Sequence, residues 1–249
     1  MADEVVVITG ASSGIGAAVA ERLTREGYGV ALVARRADAL AEVVGRCGGR
    51  ALSVVADMTA RADAERAVGE TLAHFGRLDV WINNVGRGIT RAPSELTDDD
   101  IDDMMTVNVK TALYGMQAVL PHFKTQGRGH LVNVSSVLGR MPMTTYRSAY
   151  NGAKHFLNAL TANVRDELAE SHPGIAVSLV SPGVVRTEFG LRATYGGPDS
   201  RTLPNSQSAD EVAEVIAGVV VSRVADTFTR SGVKQRVLAY LDGLMTDPA

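Results

Sequence analysis

Val5-Val6-Val7-Ile8-Thr9-Gly10-Ala11-Ser12-Ser13-Gly14-Ile15-Gly16 passes from an unbroken β-branched run into a turn holding three glycines, and residues 17–23 continue with helical spacing. β-Branched side chains favour a pleated strand, and an apolar run without polar alternation predicts a strand covered on both faces. A glycine-rich turn between strand and helix lets a pyrophosphate approach the backbone and sit at the positive end of the helix dipole. Glycines in a bare tight turn carry no such meaning. The strand before and the helix after supply the context that a phosphate loop requires. Gly10, Ser12, Ser13, Gly14, Ile15 and Gly16 are therefore candidate cofactor contacts.

The same rhythm continues outward. Short Val-, Ile- and Leu-rich runs at 29–34, 51–56, 80–83, 130–134 and 176–180 read as further strands, all buried on both faces. Amphipathic stretches near 15–26, 39–47, 62–75, 99–123 and 149–170 lie between them as helices. Strands alternating with crossover helices predict an α/β fold, a doubly wound parallel sheet of Rossmann type with helices on both faces. Thr97 followed by Asp98, Asp99 and Asp100 marks a helix start, with a capping hydroxyl and acids at the positive end of the dipole. No Pro/Gly/Ser linker or repeat divides the chain, so residues 1–249 are expected to form a single domain. The stretch 192–208 alone lacks periodicity. Such a segment is expected to be a substrate lid, spanning 188–209, or else disordered. After it, 210–220 resumes as a helix and 227–229 reads as a last edge strand.

Composition excludes several function classes. The net charge of −3 comes from 25 basic and 28 acidic residues mixed along the chain, with no basic stripe, so neither nucleic acid nor a membrane surface is expected as a partner. Cys47 is the only cysteine, which rules out an internal disulfide. His74, His122, His130, His155 and His172 are scattered without ligand spacing, so no metal is expected. No leader is expected before the first strand, and no apolar run approaches the ~18 residues of a membrane span, which makes the cytoplasm the expected setting.

The second strand ends in Val33-Ala34-Arg35-Arg36, where the dinucleotide-binding pattern has an acid for the ribose hydroxyls. A carboxylate there repels a 2′-phosphate, whereas a guanidinium can grip it with two parallel hydrogen bonds. Arg35 and Arg36 thus favour NADP(H) over NAD, although no basic residue stands inside the glycine loop itself.

Tyr150 and Lys154 are four residues apart at the start of a helical stretch, which puts both side chains on one face. A nearby ammonium stabilises a phenolate and lowers the tyrosine pKa, making proton exchange with a substrate oxygen feasible. The spacing is common on ordinary helix faces, so its meaning depends on the rest of the chain.

Taken together these residues resemble the short-chain dehydrogenase/reductase superfamily, in its short single-domain branch, over nearly the whole chain. Thr9 to Gly16 looks like the family's Thr-Gly-x-x-x-Gly-x-Gly loop, and Asp57 matches the acid that touches the adenine ring, with Met58 beside it as a further cofactor contact. Asn83-Asn84-Val85-Gly86 resembles the Asn-Asn-Ala-Gly stretch that supports the sheet and lines the cofactor; valine at the third position is a departure. Asn108 matches the mid-helix asparagine that holds a water near the lysine. Of the two serines after the fifth strand, Ser136 stands three positions before Gly139 as the family's catalytic serine does, leaving Ser135 bonded to backbone. Ser136 and Tyr150 are fourteen positions apart, one more than in many relatives, which points to an unusual pocket near 140–147. Tyr146 has no lysine four residues on. Ser181-Pro182-Gly183-Val184-Val185-Arg186-Thr187 resembles the turn facing the nicotinamide, with Val185 and Thr187 holding its carboxamide.

The resemblance implies an NADP(H)-dependent oxidoreductase that moves hydride between the nicotinamide and a carbonyl or secondary alcohol. Tyr150 would be the general acid/base, Ser136 the stabiliser of the substrate oxygen, Lys154 the partner of the tyrosine and of the nicotinamide ribose, and Asn108 the water holder. It also implies a homodimer or homotetramer built on the fourth and fifth helices. The competing reading is a dinucleotide-binding sensor that keeps the fold without turnover. Met141, Met143, Tyr146, Phe189, Leu191 and Tyr195 are candidates for an apolar substrate pocket, and Arg140 and Arg147 either meet an anionic substrate or face water.

Overall fold

Residues 4–245 of the chain are described here in a computed structural model. Successive side chains of β1 (Val5–Thr9) point to opposite faces of the sheet, and Val6 and Ile8 join one apolar core while Val7 joins the other. Both faces are covered, which is why the strand reads as a continuous apolar run. Seven parallel strands follow the order β3-β2-β1-β4-β5-β6-β7. β1 pairs with β2 (Gly29–Ala34) on one side and with β4 (Val80–Asn83) on the other. β3 (Ala51–Val55) forms one edge, and β5 (Gly129–Val134), β6 (Ile175–Ser181) and β7 (Asp226–Phe228) continue to the opposite edge. The winding reverses between β1 and β4, and a crevice opens beyond the carboxyl ends of strands at such a point.

Helices α1 (Gly14–Arg25), α2 (Ala37–Cys47) and α7 (Ala209–Ser222) pack on the Val6 and Ile8 face through residues such as Leu23, Leu40 and Ile216. On the other face, α3 (Arg61–Phe75), α5 (Thr111–Gln126) and α6 (Ser148–Ser171) supply Ala67, Phe123 and Leu168. Among the described residues no helix is long and apolar enough to cross a membrane.

Three features depart from the pattern expected of the sequence. The edge strand β3 is not buried on both faces: Val54 is fully covered but Val55 is 47% exposed, since β3 pairs with β2 on one side only. The single helix expected over 99–123 is instead α4 (Asp98–Met105), a π-helical turn (Thr106–Lys110) and α5. Thr97 does cap it, accepting from the Asp100 amide at 3.3 Å while the Asp100 carboxylate accepts from the Thr97 amide at 3.0 Å. A π-turn inserts an extra residue into the helical ladder and rotates the turns beyond it, and here it brings Asn108 and Val109 inside. Finally, an unforeseen helix α8 (Val233–Leu244) buries Val233 and Val237 against Val137 and Met141, behind the loop that follows β5. Its signal was present in the spacing of Val233, Val237, Leu241 and Leu244.

Candidate active site

A cleft of about 650 Å³ lies along the carboxyl ends of the strands, from the glycine loop at one end to Tyr150 and the 188–209 segment at the other. Its first end is built by close backbone approach. Gly10 takes φ +68°, which favours glycine. A Cβ at Gly16 would lie 2.5 Å from the Gly10 carbonyl oxygen and 2.7 Å from Asn84 Nδ2, so only glycine fits there. The Asn84 side chain donates to the Thr9 carbonyl at 3.2 Å, and its amide donates to the Thr9 hydroxyl at 3.0 Å, fastening β4 to the loop. Ser13 is the N-cap of α1 but makes no side-chain cap bond, and the first turn of α1 carries no acid. The positive end of this helix is therefore open to an anion.

Arg36 reaches over the loop, its Nη2 donating to the Ser12 and Ser13 hydroxyls at 3.1 and 3.2 Å. Basic charge thus does reach the loop, by way of an arginine from outside it. Arg35 Nη1 lies 3.7 Å from Asp57 Oδ2, both side chains well exposed. Asp57 accepts from the Thr59 amide at 3.0 Å and from its hydroxyl at 2.8 Å, and buried Met58 lines the cleft beside it.

At the other end Ser136, Tyr150 and Lys154 line one wall. Ser136 closes the extension of β5, and its Oγ accepts from the Leu138 amide at 3.1 Å. Ser135 donates to the Asn158 side chain rather than to backbone as expected. The reason is that Asn158 on α6 is held there by its own 2.7 Å bond to the Gly139 carbonyl. Lys154 donates to the Val134 carbonyl at 3.0 Å, and its Nζ lies 5.8 Å from the centroid of the Tyr150 ring. Asn108 accepts from the Arg87 amide at 3.1 Å and donates to the Arg87 carbonyl at 3.0 Å and to the Met104 carbonyl at 3.1 Å. A Cβ at Gly86 would stand 3.1 Å from Asn108 Oδ1 and 3.6 Å from Lys154 Nζ, which places all three residues together.

Protonation departs from the simple expectation that the lysine lowers the tyrosine. Burial pushes Tyr150 up to about 12, opposed by the Ser136 hydroxyl and by the positive charge of Arg147. Lys154, also buried, is pushed down to about 8. Both groups are nearly out of water, and desolvation is the largest cause of each shift.

Pro182, Gly183, Val185 and Thr187 complete the floor. The Pro182 carbonyl accepts from the Val137 amide at 2.9 Å, and the Thr187 Cγ2 would lie 3.2 Å from a Cβ at Gly14, so this turn meets the glycine loop across the cleft. Of the apolar candidates for substrate contact, Met143, Tyr146 and Phe189 line the cleft, with the Phe189 ring 5.5 Å from that of Tyr150. Met141 does not; it is buried under α8. Leu191 and Tyr195 do not line it either, being 48% and 60% exposed. Arg140 forms an ion pair with Asp226, whereas Arg147 is buried and lines the cleft. Among the described residues no group of three or more His, Cys, Asp or Glu side chains could hold a metal ion.

A doubly wound parallel sheet with a helix-opening glycine loop at its reversal point and a buried Ser, Tyr and Lys at the far end of the cleft defines an α/β protein of Rossmann type. More narrowly, the chain belongs to the short-chain dehydrogenase family, whose model matches residues 4–194. An uncharacterized oxidoreductase of Staphylococcus epidermidis is 32% identical over 210 residues, covering 84% of this chain and 89% of the relative. Among solved structures, a short-chain dehydrogenase from Sphingobium yanoikuyae in complex with NADPH is 34% identical with a TM-score of 0.82, covering 96% of this chain and 92% of its own. A short-chain dehydrogenase/reductase from Burkholderia phymatum in complex with NAD is 25% identical with a TM-score of 0.87, covering 99% and 97%.

Proposed function

We propose that this protein is an NADP(H)-dependent oxidoreductase acting on a carbonyl or secondary alcohol, with Tyr150 as its general acid/base. The observation that carries this reading is the placement of buried Tyr150, with Ser136 and Lys154, in the same cleft as a glycine loop too tight for any side chain at Gly16. The open end of α1, the floor at Pro182 and Thr187, and the wall at Asp57 and Met58 suit an elongated dinucleotide, as do relatives that bind NAD or NADPH. When bound, NADP(H) supplies the hydride. During reduction Tyr150 donates its proton to the carbonyl oxygen, and during oxidation it takes the proton back. Ser136 donates a hydrogen bond to that oxygen and stabilises the charge that develops on it. Lys154 would hold the nicotinamide ribose and stabilise the phenolate, and Asn108 would hold a water that links Lys154 to solvent.

Preference for the 2′-phosphate rests on Arg35 and Arg36. No acid ends β2, Arg36 already spans the two loop serines, and Arg35 pairs with Asp57 at 3.7 Å, an exposed contact that a phosphate can displace. Arg35→Asp is expected to weaken NADPH binding at least about tenfold more than NADH binding, measured by nucleotide fluorescence titration. Equal losses for both nucleotides would remove the phosphate assignment. For the reaction itself, NADPH consumption is followed with a panel of aldehydes, ketones and quinones. Tyr150→Phe should reduce kcat to below a few per cent while NADPH still binds; retained turnover would sink the role given to Tyr150.

Segment 188–209 serves as a lid over the substrate end, and Ile101 and Phe156, exposed on α4 and α6, favour assembly of a homodimer or homotetramer across these helices. Light scattering in solution tests the assembly.

A further inference from the structure

Arg147 is the N-cap residue of α6, three positions before Tyr150, and Lys154 follows one turn later on the face of Tyr150. Tyr150 therefore has a buried cation on each side. The two cations are held differently. Lys154 is directed at the Val134 carbonyl, while the charge of Arg147 acts on the Tyr150 phenol.

Arg147 is only 8% exposed, yet it has no acidic partner among the described residues. The acids of the neighbouring segments pair elsewhere: Asp100 with Arg91 at 3.2 Å, Asp103 with Arg87, and Glu188 with Arg192. Of its five N–H groups, one on Nη1 donates to the Ile89 carbonyl at 3.1 Å, and the others make no hydrogen bond among the described residues. The guanidinium lies in a slot between two residues without side chains. A Cβ at Gly88 would stand 2.6 Å from its Nη1, and one at Gly197 of the lid would stand 2.9 Å from its Nη2. Burying an uncompensated guanidinium is costly, and this one borders the cleft beside Tyr150, Phe189 and Ser200. A planar fork of free donors facing a cavity is the complement of a carboxylate.

We propose that Arg147 binds a carboxylate of the substrate, so that the substrate class is an oxo acid and its hydroxy acid counterpart. This deepens the oxidoreductase reading above and rests on it. During reduction the hydride from NADPH goes to the carbonyl carbon, the proton from Tyr150 goes to its oxygen, and the carboxylate stays unchanged on Arg147. A substrate that spans both residues is held with its reacting oxygen at Tyr150 and Ser136.

The test uses straight-chain 3-oxo and 4-oxo acids against their methyl esters, with NADPH and the wild-type protein. The acids should exceed the esters in kcat/KM by about 100-fold, since a site built around a buried charged donor discriminates strongly against an analogue that cannot pair with it. Arg147→Met should remove that preference, lowering the acids by a similar factor and the esters by less than about threefold, and Arg147→Lys should restore part of it. Esters used as well as acids by the wild type would overturn the inference while leaving the oxidoreductase reading in place. Equal losses on acids and esters in Arg147→Met, with a shifted basic limb of the pH profile, would also overturn it, assigning Arg147 to tuning Tyr150. No turnover of any carbonyl while NADPH binds would overturn both readings. Should Arg147→Met fail to fold, the wild-type comparison of acid with ester decides alone.

Discussion

Lys154 is a costly residue at rest. It is 3% exposed, and burial holds its ammonium down to about 8, against an ordinary value of 10.5. A folded pKa below the unfolded one means that folding disfavours the charged form. The penalty is complete below about pH 8 and disappears above the unfolded value of 10.5, so on this account stability rises with pH across that window. At about 1.4 kcal/mol per unit the full penalty is about 3 kcal/mol, and loss of the Val134 hydrogen bond takes back about 1 kcal/mol. Lys154→Met should therefore stabilise the protein by about 2 kcal/mol at pH 7, with no gain at pH 10.5. Tyr150 works in the opposite sense, its raised value of about 12 lowering stability as pH climbs from 10 towards 12, but it is common to both proteins and cancels in the difference. Denaturant midpoints of wild type and variant at the two pH values measure this, and a variant no more stable at pH 7 would contradict it. The spacing of Tyr150 and Lys154 was legible in the sequence. That both are buried deeply enough to oppose their own charges was not, because burial depends on Phe189 and Gly86, which lie far away along the chain.

Elements differ in how much of their geometry the sequence declares. Glycines at tight crossings and glycines on open helix faces look alike in sequence, yet they have opposite mutational consequences. Gly152 stands on the exposed side of α6 with nothing within 4 Å of an added Cβ, so Gly152→Ala should stabilise the helix by about 0.5–1 kcal/mol and leave Tyr150 and Lys154 in place. In Gly16→Ala the new Cβ would meet the Gly10 carbonyl and Asn84 Nδ2, and the loop must spread. That substitution should cost about 1–3 kcal/mol and abolish nucleotide binding. Thermal unfolding and nucleotide titration of the two variants separate these outcomes; a stable, nucleotide-binding Gly16→Ala would refute the tight-crossing account. The π-turn at Thr106–Lys110 was hidden for a related reason. Its residues, Thr-Val-Asn-Val-Lys, are mostly weak helix formers but carry no glycine or proline to mark a break, and the extra residue is held by tertiary bonds from Asn108 to both backbone groups of Arg87. Helix α8 is the reverse case: its apolar spacing is readable, but it lies beyond the last edge strand, where no further strand of the alternating pattern calls for a helix.

At the scale of the whole molecule the parallel sheet was legible because its inner strands are covered on both faces and leave continuous apolar runs, while the docking of the 188–209 segment was not. That segment has no periodicity because it is held largely by individual polar bonds, several of them to the strip of chain at 88–91 and others to Asp100, Asp103 and Thr229. The Thr90 amide donates to the Thr194 carbonyl at 3.0 Å, the Thr194 amide to the Gly88 carbonyl at 2.9 Å, and the Thr90 hydroxyl to the Gly196 carbonyl at 2.6 Å. Tyr195 donates to Asp100 at 2.9 Å, and the Arg91 guanidinium lies 4.7 Å from the centroid of its ring. A lid held by a few separable bonds opens locally without global unfolding. Thr90→Val deletes one side-chain hydrogen bond and Tyr195→Phe deletes two, the one donated to Asp100 and the one accepted from Arg91, at little change in shape, each worth about 1 kcal/mol. Combined, they should raise the open population at least about tenfold, and trypsin cleavage after Arg192 or Arg201 should accelerate by that factor if reclosing outpaces cleavage. The global unfolding midpoint should fall by several degrees and no more than these lost bonds account for, because neither residue contributes to the two apolar cores. A lid proper also predicts that KM for the carbonyl substrate rises in the double variant while NADPH affinity holds, since the glycine loop and Arg36 lie at the other end of the cleft. Faster proteolysis with unchanged KM would leave 188–209 a docked surface segment and remove its role in closing the site.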